Sequence, residues 1–157
     1  MNKVEICGVN TSKLPVLSAK EKQELLPLGL YVHIPFCVKK CNYCDFLSAP
    51  ATDAVKEQYV DVLCKEISSY KKEANGYELK TIYFGGGTPS VLNSVQIEKI
   101  LRTVRDTFCV DFSQAEITLE VNPGTVTRER LLAYHALGIN RLSIGVQSAR
   151  DAELMLL

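Results

Sequence analysis

The sequence has no excess of either charge and no long apolar run. Its 157 residues include 18 Lys and Arg against 18 Asp and Glu, so the formal net charge is zero. This balance provides no long-range attraction for nucleic acid or for an anionic membrane surface. The sequence contains no run of about 18 apolar residues, so it predicts no membrane-spanning helix. The N-terminal residues also lack the apolar core of a signal peptide, which favours a cytoplasmic location.

The six cysteines are distributed unevenly. Because no export signal is evident, we expect thiols kept for metal or redox chemistry rather than disulfides. Cys37, Cys41 and Cys44 fall within eight residues, and a loop with this spacing suits one inorganic group. The remaining cysteines are expected to be ordinary packed thiols, which are common in proteins. They are Cys7, Cys64 and Cys109.

Apolar patterning predicts strands that alternate with helices after a polar, partly helical lead-in over residues 1–27. The predicted strands are Leu30–Ile34, Thr81–Phe84, Glu116–Val121 and Arg141–Val146. Helices are expected from Asp53, after the N-cap residues Asn93 and Thr127, and from Asp151. The first should end at Asn75-Gly76, with an apolar stripe formed by Val55, Tyr59, Val62, Leu63, Ile67 and Tyr70. Strands that alternate with helices indicate a parallel sheet with right-handed crossovers. The predicted fold class is therefore α/β.

Each predicted strand has one apolar face and one polar face. A parallel sheet covered on both sides would be hydrophobic almost throughout. The alternation therefore favours a curved sheet or open barrel, with helices outside and polar groups facing a ligand-filled interior. An antiparallel sheet with one solvated face is the alternative. The helices between the strands argue against it, because antiparallel neighbours can be joined by short turns.

The chemically distinctive segments follow the carboxyl ends of the predicted strands, where parallel α/β sheets bind ligands. The first strand leads into the cysteine loop, and the second leads into Gly85–Gly87. The third ends near Glu120 and the fourth near Gln147. The sequence therefore predicts a single site at this edge of the sheet.

The residues at this edge suit a metal cluster and a polar ligand. Three thiolates can hold three irons of a [4Fe–4S] cluster and leave the fourth iron open, whereas ferredoxins use four. A closed zinc site completed by His33 is the alternative. Gly85–Gly87 lack Cβ atoms, so we expect a ligand to approach the backbone there. The Glu120 carboxylate can accept hydrogen bonds from ligand ammonium or hydroxyl groups.

Together these segments resemble the radical S-adenosylmethionine (SAM) superfamily. The family motif C-x₃-C-x₂-C is present at Cys37, Cys41 and Cys44. The segments GGGTPS, LEVNPG and RLSIGVQS are similar to the branch that contains anaerobic coproporphyrinogen dehydrogenase and the HemW-type haem chaperones. The resemblance implies that residues 28–157 form the N-terminal part of a radical SAM (β/α) barrel, with the three cysteines as cluster ligands.

The resemblance also implies a cofactor chemistry. The open iron would bind SAM, and an electron from the cluster would cleave SAM to methionine and a 5′-deoxyadenosyl radical. Tyr31 and Tyr43 would flank the cofactor and the cluster, Gly86 would approach the methionine end, and Glu120 would bind SAM. Three further residues match contacts to a second SAM in the dehydrogenase. They are Gly87, Thr88 and Gln147.

One position separates the two functions of this branch. The dehydrogenase carries a fourth cysteine two residues after the third, and this sequence has Phe46 there. The difference favours a haem chaperone, with haem, a reductant and a haem-acceptor protein as partners. The alternatives are oxygen-independent coproporphyrinogen III dehydrogenase, which would take a porphyrinogen, and a zinc-binding structural domain.

The sequence provides fewer repeats than the family barrel contains. That barrel has six βα units, and about three and a half are predicted here. The fourth strand would leave an open sheet edge after only the seven residues Asp151–Leu157, and folded proteins usually cover such edges. We therefore expect the chain to be an N-terminal fragment of a longer protein.

Overall fold

The computed structural model describes residues 5–6, 9–10 and 25–156. The predicted lead-in over residues 1–27 lies largely outside the described residues, and so do Cys7 and Leu157. The strands are β1 (Glu5–Ile6), β2 (Val9–Asn10), β3 (Leu26–Ile34), β4 (Phe36–Cys37), β5 (Ala49–Pro50), β6 (Tyr77–Gly86), β7 (Glu116–Val121) and β8 (Arg141–Ile144). The helices are α1 (Asp53–Ser69), α2 (Ser94–Thr107), α3 (Arg128–Ala136) and α4 (Asp151–Leu154).

A four-stranded parallel sheet forms the centre of the molecule. Its spatial order, β3-β6-β7-β8, is also the order along the chain. All three strand pairs are parallel, which confirms the α/β prediction and excludes the antiparallel alternative for this sheet. One helix connects each neighbouring pair, and α2 contacts both α1 and α3, as expected if all three helices lie on one face of the sheet. The result is the predicted partial barrel of three strand–helix units followed by a fourth strand.

Two strands are longer than their sequence patterns predicted. β3 begins at Leu26 and β6 spans Tyr77–Gly86, because the two strands pair along their whole length, from Leu26 opposite Tyr77 to Ile34 opposite Gly86. The predicted domain boundary after residue 27 therefore falls inside β3. Pro35 follows the last paired residue of β3, as expected for a residue without a backbone N–H.

The alternation along the strands separates the core from the polar face. Val32, Ile82 and Ile117 point to the helical side and are fully buried or nearly so. Tyr31 and Glu120, on the opposite parity, are only half-buried. The sheet therefore packs its apolar face against the helices and leaves a polar face for a site.

The helix caps match the sequence predictions, whereas the buried face of α1 matches only in part. Asn93 and Gln96 form a capping box at the start of α2, and Thr127 caps α3. In α1, however, the predicted apolar stripe is wrong at Val55 and Val62, which are exposed, whereas Val60 is buried. α1 also ends at Ser69 rather than at Asn75-Gly76. Its apolar residues cover more than one face, so spacing alone did not select the buried one.

The apolar side of β8 is uncovered within the described residues. Leu142 and Ile144 were predicted to meet helices, but their exposed fractions are 39% and 53%. The helix that follows β8, α4, has only four residues. In residues 25–156 no helix lies over this part of the sheet, so the prediction that these side chains are covered is wrong here.

None of the helices in the described residues is long and apolar enough to cross a membrane.

Candidate functional site

A cavity of about 410 Å³ lies at the carboxyl ends of the parallel strands. This volume is in the range of small-molecule sites. The cavity lining includes the three predicted cluster ligands, Cys37, Cys41 and Cys44. It also includes the seven predicted cofactor contacts, Tyr31, Tyr43, Gly86, Gly87, Thr88, Glu120 and Gln147. The fold therefore brings together all ten residues that were selected from the sequence.

Backbone pairing closes the base of the cysteine loop. β4 and β5 pair in parallel, with Phe36 opposite Ala49 and Cys37 opposite Pro50. The Ala49 N–H also donates to the Pro35 carbonyl at 3.0 Å. Because both ends of the segment are held beside β3, its three thiols lie over one side of the cavity.

The cysteines in this loop have the chemistry that a [4Fe–4S] cluster requires. All three are free thiols and are half-buried, so none is consumed by a disulfide among the described residues. In such a cluster each thiolate binds a different iron, and the sulfurs need not surround one metal ion. These residues therefore fit a three-thiolate cluster site.

The donor groups do not form a single-ion zinc site. A tetrahedral zinc ion holds its ligands about 2.0–2.3 Å from the metal, which requires them to be tightly clustered. In residues 25–156, no three His, Cys, Asp or Glu side chains are clustered in this way. The His33 ring lies against Gly86 instead, where a Cβ atom would come within 2.6 Å of it. The described geometry therefore gives no support to the Cys₃His alternative.

Tyr43 lies beside the thiols at the mouth of the cavity. Its side chain is 54% exposed. Partial loss of hydration raises the pKa of its phenol, and the neighbouring sulfurs, Cys41 foremost, raise the pKa further. The phenol therefore stays neutral beside groups that carry negative charge as thiolates.

The three glycines at the end of β6, Gly85–Gly87, make room mainly for neighbouring protein groups. A Cβ at Gly85 would meet the rings of Tyr83 and Tyr31, at 2.8 and 2.9 Å. A Cβ at Gly87 would lie 2.6 Å from the backbone oxygen of Phe36. Gly86 has φ +116°, which favours glycine at that position. These glycines therefore accommodate neighbouring protein groups, and Gly86 and Gly87 also line the cavity, where the sequence predicted ligand approach.

Hydrogen bonds hold the glycine segment against the cysteine loop. The Gly87 N–H donates to the Ile34 carbonyl at 2.8 Å, and the Thr88 N–H donates to the Phe36 carbonyl at 2.7 Å. The Thr88 hydroxyl also donates to the Cys37 Sγ atom at 3.5 Å. Thr88 thus contacts a predicted cluster ligand directly, which the sequence did not indicate.

Glu120 projects from β7 into the cavity and is held by two donors. The Tyr83 hydroxyl donates to Glu120 Oε1 at 2.6 Å. The Gly86 N–H donates to Glu120 Oε2 at 3.3 Å. The hydrogen bond to Glu120 is the main reason that the pKa of Tyr83 is raised, and loss of hydration adds to it. The alternation along β6 places Tyr83 on the polar face, but only the structure shows its contact with Glu120.

A second, smaller cavity of about 220 Å³ adjoins the first. Its lining contains Gly87, Thr88 and Gln147, the three residues predicted to contact a second SAM. Gln147 has φ 63°, a left-handed conformation that is uncommon for residues other than glycine. The site is thus extended by a pocket whose edge includes a strained backbone position.

A hydrogen-bond network joins the loops that follow β6 and β7. Arg130 donates to the carbonyl oxygens of Ser90, Leu92 and Thr125 at 2.7–3.0 Å. The buried Tyr134 hydroxyl donates to the Leu92 carbonyl at 2.6 Å. Sequence reasoning missed both residues, since neither stands in a segment with an evident ligand motif.

Comparison with known proteins assigns the family. The family model of the Radical SAM superfamily matches residues 31–157. The chain is 45% identical to the "Heme chaperone HemW" of Escherichia coli (strain K12) over 132 residues, which covers 83% of this chain and 35% of the relative. It is 41% identical to the protein of that name from Synechocystis sp. over 138 residues, covering 84% of this chain and 33% of the relative.

A mammalian relative and a solved structure agree with this assignment. Radical S-adenosyl methionine domain-containing protein 1, mitochondrial, of Mus musculus is 37% identical over 82% of this chain and 29% of its own length. The solved structure is coproporphyrinogen III oxidase (HemN) from Escherichia coli, described as a radical SAM enzyme. Its TM-score is 0.75 at 35% identity, over 82% of this chain and 30% of that one.

The chain spans about a third of the length of these relatives. Within that span, the family match and the fold agree, and the three cysteines of the family motif lie together at the carboxyl ends of the strands. The chain therefore belongs to the radical SAM superfamily.

Proposed function

We propose that Cys37, Cys41 and Cys44 hold a [4Fe–4S] cluster beside a SAM site, in a protein that binds haem and delivers it to haem proteins. Superfamily membership implies the cluster and SAM. The observation that supports the assignment of residues is their convergence. The three thiols and seven predicted contacts line one cavity although they come from four separate segments of the chain.

The chain's own residues would bind and orient the cofactors. When bound, the cluster and SAM supply one-electron chemistry that belongs to the cofactor rather than to the protein. Tyr31 and Tyr43 would flank the bound groups, and the backbone of Gly86 would meet the methionine end of SAM. Glu120 would bind the SAM ammonium group, because a hydrogen bond between an ammonium group and a carboxylate is charge-assisted and strong.

The haem-chaperone assignment is supported by the relatives and by Phe46. The two bacterial relatives above are named heme chaperones and are 45% and 41% identical to this chain. Phe46, at the position of the dehydrogenase's fourth cysteine, lines the cavity and is 73% exposed. An apolar ring there offers a contact surface for a flat apolar ligand rather than another thiol.

The alternative is an oxygen-independent coproporphyrinogen III dehydrogenase. It is favoured by the structural similarity to coproporphyrinogen III oxidase, with a TM-score of 0.75. In that case the site would take a porphyrinogen instead of haem, with SAM at both cavities. The same cysteines would bind the cluster, so cluster assembly alone does not separate the two functions.

Haem titration and a decarboxylation assay separate the two functions. Both use the protein expressed from its complete native reading frame and reconstituted without oxygen. We expect stoichiometric haem binding and no decarboxylation of coproporphyrinogen III in the presence of SAM and reductant. Porphyrinogen turnover with Phe46 in place would contradict the chaperone assignment and support the dehydrogenase.

The remaining partners follow from this proposal. A reductant must deliver the electron to the cluster, and an acceptor protein must receive the haem. We propose a cytoplasmic site of action, because a [4Fe–4S] cluster with an open iron suits a reducing compartment. A pull-down of the haem-loaded protein from its native cytoplasm would test for the acceptor. If acceptor proteins were recovered only with the haem-free form of the protein, the transfer role would be contradicted.

A further inference from the structure

We propose that Tyr83 is a positioning residue for SAM binding, because its hydroxyl fixes the Glu120 carboxylate in the orientation that faces the cavity. This inference rests on the proposed function, in which Glu120 binds SAM. It adds a residue that lies outside the family motifs quoted above.

Tyr83 acts through Glu120 rather than by touching the ligand. Among the described residues that line the main cavity, Glu120 is present and Tyr83 is not. The distance from the Tyr83 hydroxyl to Glu120 Oε1 is 2.6 Å, which is short for a hydrogen bond between oxygen atoms. A donor at this distance from an ionised acceptor forms a strong, charge-assisted bond.

The two donors leave Glu120 with capacity for a ligand. A carboxylate has about four lone-pair sites on its two oxygens. Tyr83 occupies a site on Oε1, and the Gly86 N–H, at 3.3 Å, occupies one on Oε2. Each oxygen therefore keeps acceptor capacity for an ammonium group in the cavity, while rotation of the carboxylate is restrained from both sides.

The neighbours of Tyr83 hold its ring in place. The rings of Tyr83 and Tyr31 stack with centroids 5.9 Å apart and an angle of 16° between their planes. Gly85 permits this stack, since a Cβ atom there would lie within 3.0 Å of both rings. A glycine, two tyrosines and a glutamate thus form one rigid unit, of which Tyr31 and Glu120 reach the cavity.

A double-mutant cycle tests this role in the cluster-loaded protein, expressed from its complete native reading frame. SAM affinity is measured by equilibrium dialysis for the wild type, Tyr83→Phe, Glu120→Gln and the double variant. We expect Tyr83→Phe to weaken binding by about tenfold, near the lower limit for losing a hydrogen bond to a charged group. In the Glu120→Gln background the same change should have no further effect, because Tyr83 then has no carboxylate to orient.

Tyr77→Phe is the matched control. Tyr77 begins β6, at the end of the strand remote from the cavity, and is partly buried like Tyr83. Its variant should bind SAM as the wild type does. Equal binding by Tyr83→Phe and the wild type, or losses that multiply in the double variant, would overturn the inference. If the wild type itself binds no SAM, the proposed function fails and the inference fails with it.

A second measurement needs no cofactor and no Tyr83 variant. Tyrosine Cζ signals can be followed by nuclear magnetic resonance during an alkaline titration of the wild type and of Glu120→Gln. The hydrogen bond to Glu120 raises the pKa of Tyr83, while Arg141 and Ser143 act in the opposite direction. Loss of the Glu120 charge should lower the pKa of one tyrosine. If no tyrosine pKa falls, the hydrogen bond is absent and the proposal is overturned.

The direction of the pH effect follows from the raised pKa. The bond exists while the phenol is protonated, so its stabilising contribution is fully present below the ordinary tyrosine pKa of about 10. It is lost as the pH rises through the higher pKa of the folded state. SAM binding should therefore retain the contribution of Tyr83 throughout the neutral range.

Discussion

The cysteines of this chain occupy different environments. Cys41 lines the main cavity together with two other thiols, whereas Cys109 is an exposed residue that follows α2. The Cys109 backbone pairs with Leu79, but its sulfur is not part of the cavity lining among the described residues. Position in the fold, rather than reactivity in general, should therefore decide which thiols bind iron.

Replacing these cysteines one at a time tests this distinction. We expect Cys41→Ala to abolish assembly of the [4Fe–4S] cluster, because a cluster already short of one protein ligand would lose another. Cys109→Ala should assemble the cluster normally. Iron and sulfide content after oxygen-free reconstitution, with the absorbance at about 400 nm, provides the readout. Equal loss of iron in both variants would show that the ligands are wrongly assigned.

Thr88 links the glycine segment to the proposed cluster. Its hydroxyl donates to the Cys37 sulfur at 3.5 Å, within the range of bonds to sulfur. Hydrogen bonds to ligand sulfurs are among the features that set the reduction potential of an iron–sulfur cluster. Because such a bond offsets negative charge on sulfur, it favours the reduced cluster and raises the potential.

The Thr88 contact predicts a shift in potential that depends on the hydroxyl group. Thr88→Val, which keeps the shape of the side chain, should lower the reduction potential of the cluster in the absence of SAM. Thr88→Ser keeps the hydroxyl and should stay close to the wild type. A redox titration followed by electron paramagnetic resonance measures both. An unchanged potential in Thr88→Val would mean that the bond does not form to the cluster-bound sulfur.

At the scale of secondary-structure elements, the loops after β6 and β7 are held in place by Arg130, which is not one of the predicted ligand contacts. Arg130, in the first turn of α3, donates to three backbone carbonyls in the loops that follow β6 and β7. It also donates to the Tyr134 hydroxyl at 3.0 Å. One guanidinium group therefore fixes the relative positions of two segments that line the site.

Removing that guanidinium should destabilise the fold. Arg130→Met leaves partly buried carbonyls without donors, and we expect the free energy of unfolding to fall by about 2–3 kcal/mol. Arg128→Met is the matched control, since Arg128 lies in the same helical turn and is exposed. Urea unfolding followed by circular dichroism measures both variants. Similar losses at the two positions would contradict the role of the network.

The elements show which parts of the fold the sequence determines locally. Asn93 and Thr127 cap their helices as predicted, because capping depends on residues only three positions away. The buried face of α1 depends on its neighbours, and Val60 lies about 140° around the helix from Val55 on a second apolar face. In α1, local patterns therefore predicted where the helix begins better than which side it buries.

Long-range register explains what the sequence could not predict at the site. His33 lies opposite Gly85 in the pairing of β3 with β6, so its ring occupies the space beside Gly86. The contact between Tyr83 and Glu120 likewise depends on how β6 and β7 are paired. These distances arise between segments that are separated by dozens of residues. The cysteine spacing and the family resemblance indicated which residues lie at the cavity, and strand pairing determined which of them touch.

At the scale of the whole molecule, the strand order accounts for the location of the site. A sheet that adds each strand beside the previous one brings all its carboxyl ends to one edge. Four loops from residues 35–150 therefore meet there, although each carries only part of the chemistry. The chain spans about a third of the length of its relatives, and this edge is formed within that span.

Direct observation of SAM at the cluster tests the central claim. The protein from its complete reading frame is reconstituted without oxygen and reduced. Its electron paramagnetic resonance spectrum is then recorded with and without SAM. A cluster held by three cysteines has an iron that SAM can bind, so the account predicts a SAM-dependent change in the reduced-cluster signal. An iron–sulfur signal that is identical with and without saturating SAM, or a protein that binds no iron, would contradict it.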